Sequence, residues 1–150
     1  MKKLVLVLMV ALTLLSSVPA TSQTPTEIAW KRAMKLAEIR KKEWMTWTKP
    51  VVDIVYTPRY IPLSSTEGNR LCGTTEPMFE GPSPDQMKLV FYVRVFVRPS
   101  EIVLLEEVLT HEFLHVVWVE RAIYDEGWYA AHPDSEVWVR NLLPNSCPSF

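Results

Sequence analysis

Apolar and polar positions alternate most regularly over residues 87–98. One set of alternate positions holds Leu89, Phe91, Val93, Val95 and Val97, and the other holds Lys88, Tyr92, Arg94 and Arg98. A period of two is typical of a strand that buries one face. A second strand is predicted at residues 51–57, which are rich in β-branched and aromatic residues and stop at Pro58.

A helical pattern precedes these strands, and a loop-rich segment separates them. Apolar residues recur at helical spacing from Thr24 to Pro50, which predicts a first helix. Residues 58–85 hold three of the four glycines and many prolines, so we expect loops there, with one short strand near residues 60–63.

Two further helices are predicted after residue 98. The first takes Ser100 as its N-cap, runs to about Tyr124 and is stopped by Gly127. The last starts at the His-Pro pair, which favours His132 as its N-cap, and ends at Pro144. Helices and strands in this order predict an α+β fold.

The first residues have the pattern of a secretory signal peptide. Lys2 and Lys3 precede an apolar run over residues 4–15, and small residues follow it. Cleavage after Ala20 is expected, with Ser22 as the second choice, and an uncleaved membrane anchor is the alternative. Export and an extracytoplasmic location follow, with no membrane span once the signal is removed.

Residues 21–150 are long enough for a single domain with one core. The net charge is −1 and no basic block stands out, so we expect no nucleic-acid partner.

In an exported chain, Cys72 and Cys147 favour a disulfide. It would close a loop of about 75 residues and stabilise the fold by roughly 4 kcal/mol. The alternative is that one cysteine binds a metal as an inhibitory thiolate.

Candidate chemistry lies in the second helix, where the five residues His111 to His115 form an H-E-x-x-H motif. In a chain of this composition such a motif is expected by chance on the order of 0.005 times. Residues four apart share a helix face with Cβ atoms about 5–6 Å apart, so both imidazoles can reach one metal ion. The helix is apolar almost all round and is therefore expected to be buried. We predict one zinc ion per chain.

Glu112 is the predicted catalytic base. It lies about 100° around the helix from His111, within reach of a metal-bound water but poorly placed to be a ligand. Zinc lowers the pKa of such a water towards 7, so the carboxylate can take its proton and later pass it to a leaving amine. The structural alternative is a pair of core histidines with Glu112 on the surface.

The third zinc ligand is open to two main interpretations. His132, the only other histidine, is the first choice. Glu136 follows four residues later and could be the ligand itself or could orient the ligand by a hydrogen bond. Asp125, Glu126 and Asp134 are further candidates.

A group that stabilises the oxyanion on the attacked carbonyl is also required. Tyr129, in the segment between the ligands, is the preferred candidate, and Tyr124, Arg121 and Arg140 are the others.

The H-E-x-x-H motif, on a helix that follows an amphipathic strand, resembles the zincin metallopeptidases. The resemblance implies a zincin-like domain in which a mixed or antiparallel sheet packs on a buried active-site helix. It also implies that an edge strand, here residues 87–98, binds an extended peptide. His132 favours the SprT-like branch, whereas Glu136 favours a minimal gluzincin, although Arg140 replaces the acid that gluzincins carry four residues later.

These observations predict an exported zinc metallopeptidase that hydrolyses peptide bonds in peptides or proteins. The alternative is a non-catalytic secreted zinc module, or a latent zymogen whose site is capped by a covering helix within residues 21–50 or by a cysteine. A hydrolase of lipid amides or other non-peptide substrates is a further option.

Overall fold

The structure is a computed structural model of the chain. It describes residues 22–38, 50–57, 61–62 and 70–145. The predicted signal peptide, residues 39–49 of the predicted first helix and Cys147 lie outside the described residues. No helix among the described residues is both long enough and apolar enough to cross a membrane.

Helices and strands combine in an α+β fold, as predicted. The helices are α1 (Pro25–Leu36), α2 (Leu105–Tyr124), α3 (Glu126–Ala131) and α4 (Ser135–Leu142). The strands are β1 (Val51–Tyr56), β2 (Ile61–Pro62), β3 (Arg70–Leu71), β4 (Gly73–Glu80) and β5 (Lys88–Val97). The two main strand predictions are confirmed as β1 and β5.

A three-stranded mixed sheet, in the order β1-β5-β4, covers α2. β1 is parallel to β5, and β4 is antiparallel to it. The prediction that residues 87–98 form the substrate-binding edge was wrong, because β5 is the central strand. Phe91, Val93, Val95 and Val97 form its buried inner face, which packs against α2.

The edge strand β4 lies in the segment that was predicted to be mostly loops. Its sequence contains Gly73 and Pro77, and most of its residues are exposed. Such a strand has little pattern of its own, and pairing with β5 at eight consecutive positions holds it in place. Pro77 is tolerated because an edge strand can accept a residue that has no N–H to donate.

Helix α2 is the centre of the core, and α1 packs along it. Ala29 and Ala33 of α1 are fully buried, which allows a close approach of the two helices. Trp30 packs edge-on against Phe113 of α2, with 5.0 Å between ring centroids. Arg32 adds ion pairs to two glutamates of the first turn of α2. Helix α1 thus belongs to the same core as the candidate site helix.

The ends of the later helices differ from the predictions. Residues Pro99–Leu104 form a 3-10 turn, so α2 starts at Leu105, after the predicted N-cap Ser100. It ends at Tyr124 as predicted. Gly127 does not stop it, since Asp125 ends α2 and caps the separate short helix α3 by accepting a hydrogen bond from the Trp128 N–H.

His132 is not the N-cap of the last helix. That position belongs to Asp134, whose Oδ1 accepts a hydrogen bond of 3.0 Å from the Val137 N–H. A carboxylate is the better cap because it accepts the orphan N–H directly. His132 is instead the C-cap of α3.

Glu120, on α2, makes stability depend on pH. Its partial burial raises the pKa of its carboxyl to about 8. The folded state therefore binds the Glu120 proton more tightly than the unfolded state does. As pH rises from about 4.5 to about 8, the free energy of unfolding falls, because the buried carboxyl must lose this proton.

We expect Glu120→Gln to raise the melting temperature by a few degrees at pH 8 and hardly at all at pH 4. Thermal unfolding against pH measures this, with Glu76→Gln, an exposed carboxylate, as the control. A pH-independent difference would contradict it.

Candidate metal centre

Three side chains from two helices come together at one point. His111 and His115 come from α2, and Glu136 comes from the first turn of α4. The two Nε2 atoms lie 3.1 Å apart, and Oε2 of Glu136 lies 3.4 Å from that of His111 and 3.2 Å from that of His115. Three potential ligand atoms therefore form a nearly equilateral triangle.

Packing of α4 on α2 brings Glu136 to the histidines. Val139, three residues after Glu136, is fully buried, so the two share the face of α4 that packs on α2. His111 is almost fully buried, whereas His115 and Glu136 are partly exposed. The group is thus closed on the core side and reachable from solvent on the other.

The triangle fits a zinc ion. Tetrahedral coordination with bonds of about 2.0–2.1 Å places any two ligand atoms about 3.3 Å apart. The observed separations of 3.1, 3.2 and 3.4 Å agree with that value. Two imidazole nitrogens and one carboxylate oxygen are a ligand set that catalytic zinc sites use, because three protein ligands leave one position for water or substrate.

Arg140 fixes the orientation of Glu136. Its Nε donates a hydrogen bond of 2.5 Å to Oε1, which leaves Oε2 facing the two imidazoles. Hydrogen bonds with His111 and His115 hold the pKa of the Glu136 carboxyl well below its usual range. The carboxylate is therefore ionised, as a metal ligand must be.

Loss of Arg140 is expected to weaken metal binding. Without the guanidinium, either carboxylate oxygen of Glu136 can rotate away, and removal of such an orienting partner costs about 10–100-fold in metal affinity. We expect Arg140→Ala to show this loss in a zinc competition titration against a fluorescent chelator. The control is Arg94→Ala, which removes an ion pair of 2.9 Å with Asp53 on the opposite face of the sheet. Equal affinities of the two variants would contradict an orienting role.

Glu112 lies next to this group, under β4. Its side chain is almost fully buried, and Oε2 lies 2.8 Å from the hydroxyl oxygen of Thr75. The same hydroxyl lies 3.1 Å from the main-chain oxygen of Glu112. Burial raises the pKa of the Glu112 carboxyl, and this effect exceeds the opposing influence of His115 and His111. A buried carboxyl that readily takes up a proton is suited to general acid–base chemistry.

Gly73 allows this close approach. A Cβ atom at this position would lie 2.6 Å from Oε1 of Glu112, closer than real Cβ atoms come to other atoms. The first residue of β4 therefore rests directly on the carboxyl group. Neither Gly73 nor Thr75 was identified from the sequence, because only the pairing of β4 brings them to the site.

His132 does not join the two helix histidines. Its ring stacks on Trp128 with 4.6 Å between centroids, and its Nδ1 lies 3.0 Å from the Trp128 carbonyl oxygen. Its own carbonyl accepts a hydrogen bond of 3.0 Å from Trp118. The structure thus places Glu136, the second choice from the sequence, where His132 was expected. The cause is the unrecognised helix α3, which turns His132 back onto its own preceding turn.

The remaining predicted residues lie around the site with other contacts. Tyr129 packs edge-on against Trp118, one turn beyond His115, with 5.7 Å between centroids. Its role at the oxyanion stays a prediction. Arg121 donates to the Ala37 carbonyl and lies over Trp128. Asp125 and Asp134 are the N-caps of α3 and α4. Tyr124 and Glu126 are exposed.

Cys72, which precedes β4, is buried and disulfide-bonded. A sulfur in a disulfide offers no thiolate, so Cys72 in this state is not an inhibitory ligand.

No protein-family model, curated protein or solved structure matches the chain. With no matching protein, what points to a metal ion is the closeness of the ligand atoms of His111, His115 and Glu136.

Proposed function

We propose that this chain is an exported zinc metallopeptidase that hydrolyses peptide bonds. The observation that carries the proposal is the convergence of His111, His115 and Glu136 at tetrahedral spacing beside the buried carboxyl of Glu112. The zincin resemblance of the motif supports it, and the two-histidine, one-glutamate set favours the gluzincin type. Export rests on the signal-peptide pattern of the first residues.

Two imidazoles and one carboxylate would hold the zinc. When bound, zinc supplies Lewis acidity, which lowers the pKa of water towards 7 and polarises a carbonyl group. Glu112 accepts the proton of the attacking water on its carboxylate and donates it to the nitrogen of the leaving amine. The hydroxyl of Thr75 and the absence of a side chain at Gly73 position the carboxyl for both transfers. The products are a new carboxyl terminus and a new amino terminus.

The open edge of β4 is a suitable place for an extended substrate. Phe96 N–H donates to the Cys72 carbonyl at 2.8 Å, so even-numbered residues of β4 bond to β5 in the antiparallel alternation. The main-chain groups of odd-numbered residues Gly73, Thr75 and Phe79 point the other way, and Pro77 between them offers only its carbonyl oxygen. Among the residues that the structure describes, β4 has no neighbour on that side. A peptide can add there as a further strand beside Glu112.

Zinc-dependent proteolysis is the test. The chain from residue 21 onward, loaded with one equivalent of zinc, would be incubated with a reduced, unfolded protein, and new termini would be identified by mass spectrometry. We expect cleavage that a zinc chelator abolishes and that added zinc, but not magnesium, restores. Stoichiometric zinc binding without any new termini would favour a non-catalytic or latent zinc module instead.

A further inference from the structure

We propose that Phe79 makes this site selective for peptides that carry a large apolar side chain several residues from the cleaved bond. The proposal rests on the proposed peptidase function and names the class of substrate. It follows from which face of β4 each residue occupies and from how exposed those residues are.

Phe79 lies on the same face of β4 as the catalytic carboxyl. Gly73 and Thr75 both contact Glu112, so the odd-numbered residues of β4 face α2. Successive side chains in a strand alternate, so Phe79 shares that inner face. At about 3.3–3.4 Å per residue, it lies about 13 Å along the strand from Thr75.

The inner face of the sheet is covered near Glu112 and open towards the β4–β5 turn. Val93 and Val95, opposite Thr75 and Gly73, are buried. Phe79 is 60% exposed, and its register partner Leu89 is only partly buried. Met87, which precedes β5, is 43% exposed. Exposed apolar side chains therefore lie on the inner face at the end of β4 that is farther from the catalytic carboxyl.

An extended peptide is the occupant that fits this surface. A strand added to the open edge would place one side chain directly opposite Phe79, since cross-strand pairs have Cβ atoms about 4.5–5.5 Å apart. The carboxylates of β4, Glu76 and Glu80, are even-numbered and lie on the other face. A substrate side chain directed towards α2 at this point meets an aromatic ring and none of the charges of β4. This favours Phe, Leu or Met, three or four residues from the reacting bond.

The test compares Phe79→Thr with Met78→Thr. Met78 is the adjacent residue, is 49% exposed and occupies the opposite face, so it is a matched control. Threonine is favourable in strands, which protects the fold in both variants. Cleavage of a randomised peptide library, read by sequencing the products, should show enrichment of large apolar residues at one position. The enrichment should disappear in Phe79→Thr and remain in Met78→Thr and in Phe79→Leu.

Kinetics on one preferred peptide complete the test. We expect Phe79→Thr to raise KM by up to about fivefold with kcat little changed, because the contact is equally present before and during the reaction. Equal library profiles of the two threonine variants, with wild-type cleavage intact, would overturn the selectivity alone. A Phe79 effect on dimer formation without one on cleavage would assign the surface to a second copy of the chain and would also overturn it. Absence of cleavage by the zinc-loaded wild type would overturn the proposed function as well.

Discussion

Replacement of Glu136 by alanine is expected to remove stoichiometric zinc, whereas replacement of His132 is expected to leave it in place. Glu136 supplies the third corner of the triangle with His111 and His115, at 3.2 and 3.4 Å. His132 stacks on Trp128 and takes no part in that group. Loss of a ligand should cost more than the roughly 10–100-fold that orienting partners are worth.

Metal analysis of the purified variants measures this difference directly. Each variant would be loaded with zinc, desalted and assayed for metal per chain, with thermal unfolding as the check on folding. His132→Ala is the matched control for Glu136→Ala because His132 is the other candidate for the third ligand and lies only four residues away in the sequence. Retention of zinc by Glu136→Ala together with its loss from His132→Ala would restore His132 as the third ligand.

Replacement of Glu112 by glutamine is expected to abolish hydrolysis without loss of metal. The amide has the size of the carboxylate and can still accept the hydrogen bond from Thr75, but it cannot take up a proton. General acid–base catalysis contributes about 10²–10⁴-fold, so kcat should fall by at least that order. Zinc content should stay at one per chain, because Glu112 is outside the ligand triangle.

Glu120→Gln is the control for this substitution. It makes the same chemical change on the same helix, at a residue outside the metal group. We expect it to keep wild-type kcat on the same substrate. Full activity of zinc-loaded Glu112→Gln would contradict the assignment of Glu112 as the proton carrier, whatever the metal content.

The sequence predicts those parts of the fold whose side chains carry their own pattern. β5 alternates because one of its faces is buried, although Val90 and Phe96 are apolar residues on the other face, and α2 is apolar almost all round because it is the core helix. The H-E-x-x-H motif lies within a single helix, so its two histidines and Glu112 are placed by local geometry alone. These features require no knowledge of distant contacts.

Features that depend on contacts between distant segments were missed or were ambiguous. β4 is held in place by its pairing with β5, and its glycine, proline and mostly exposed residues give it no strand pattern in the sequence. Because β4 was missed, so were Gly73 and Thr75 at the carboxyl of Glu112. The short helix α3 decided between His132 and Glu136, yet six residues with one glycine gave no reliable helical signal.

Helix α1 shows the same dependence on packing. From its sequence it could have been a removable cover for the site or part of the core. Its buried alanines and the contact of Trp30 with Phe113 join it to α2. We therefore expect activity to require α1, because its removal would expose the core side of the helix that carries the metal ligands.

The position of bound zinc tests the central claim most directly. Anomalous diffraction at the zinc edge, from crystals of the zinc-loaded protein, locates the metal without reference to the chemistry proposed for it. We predict one peak per chain, within about 2.0–2.2 Å of Nε2 of His111, Nε2 of His115 and Oε2 of Glu136, with no fourth protein ligand. A peak elsewhere, or a shell completed by a fourth side chain, would contradict a catalytic zinc centre.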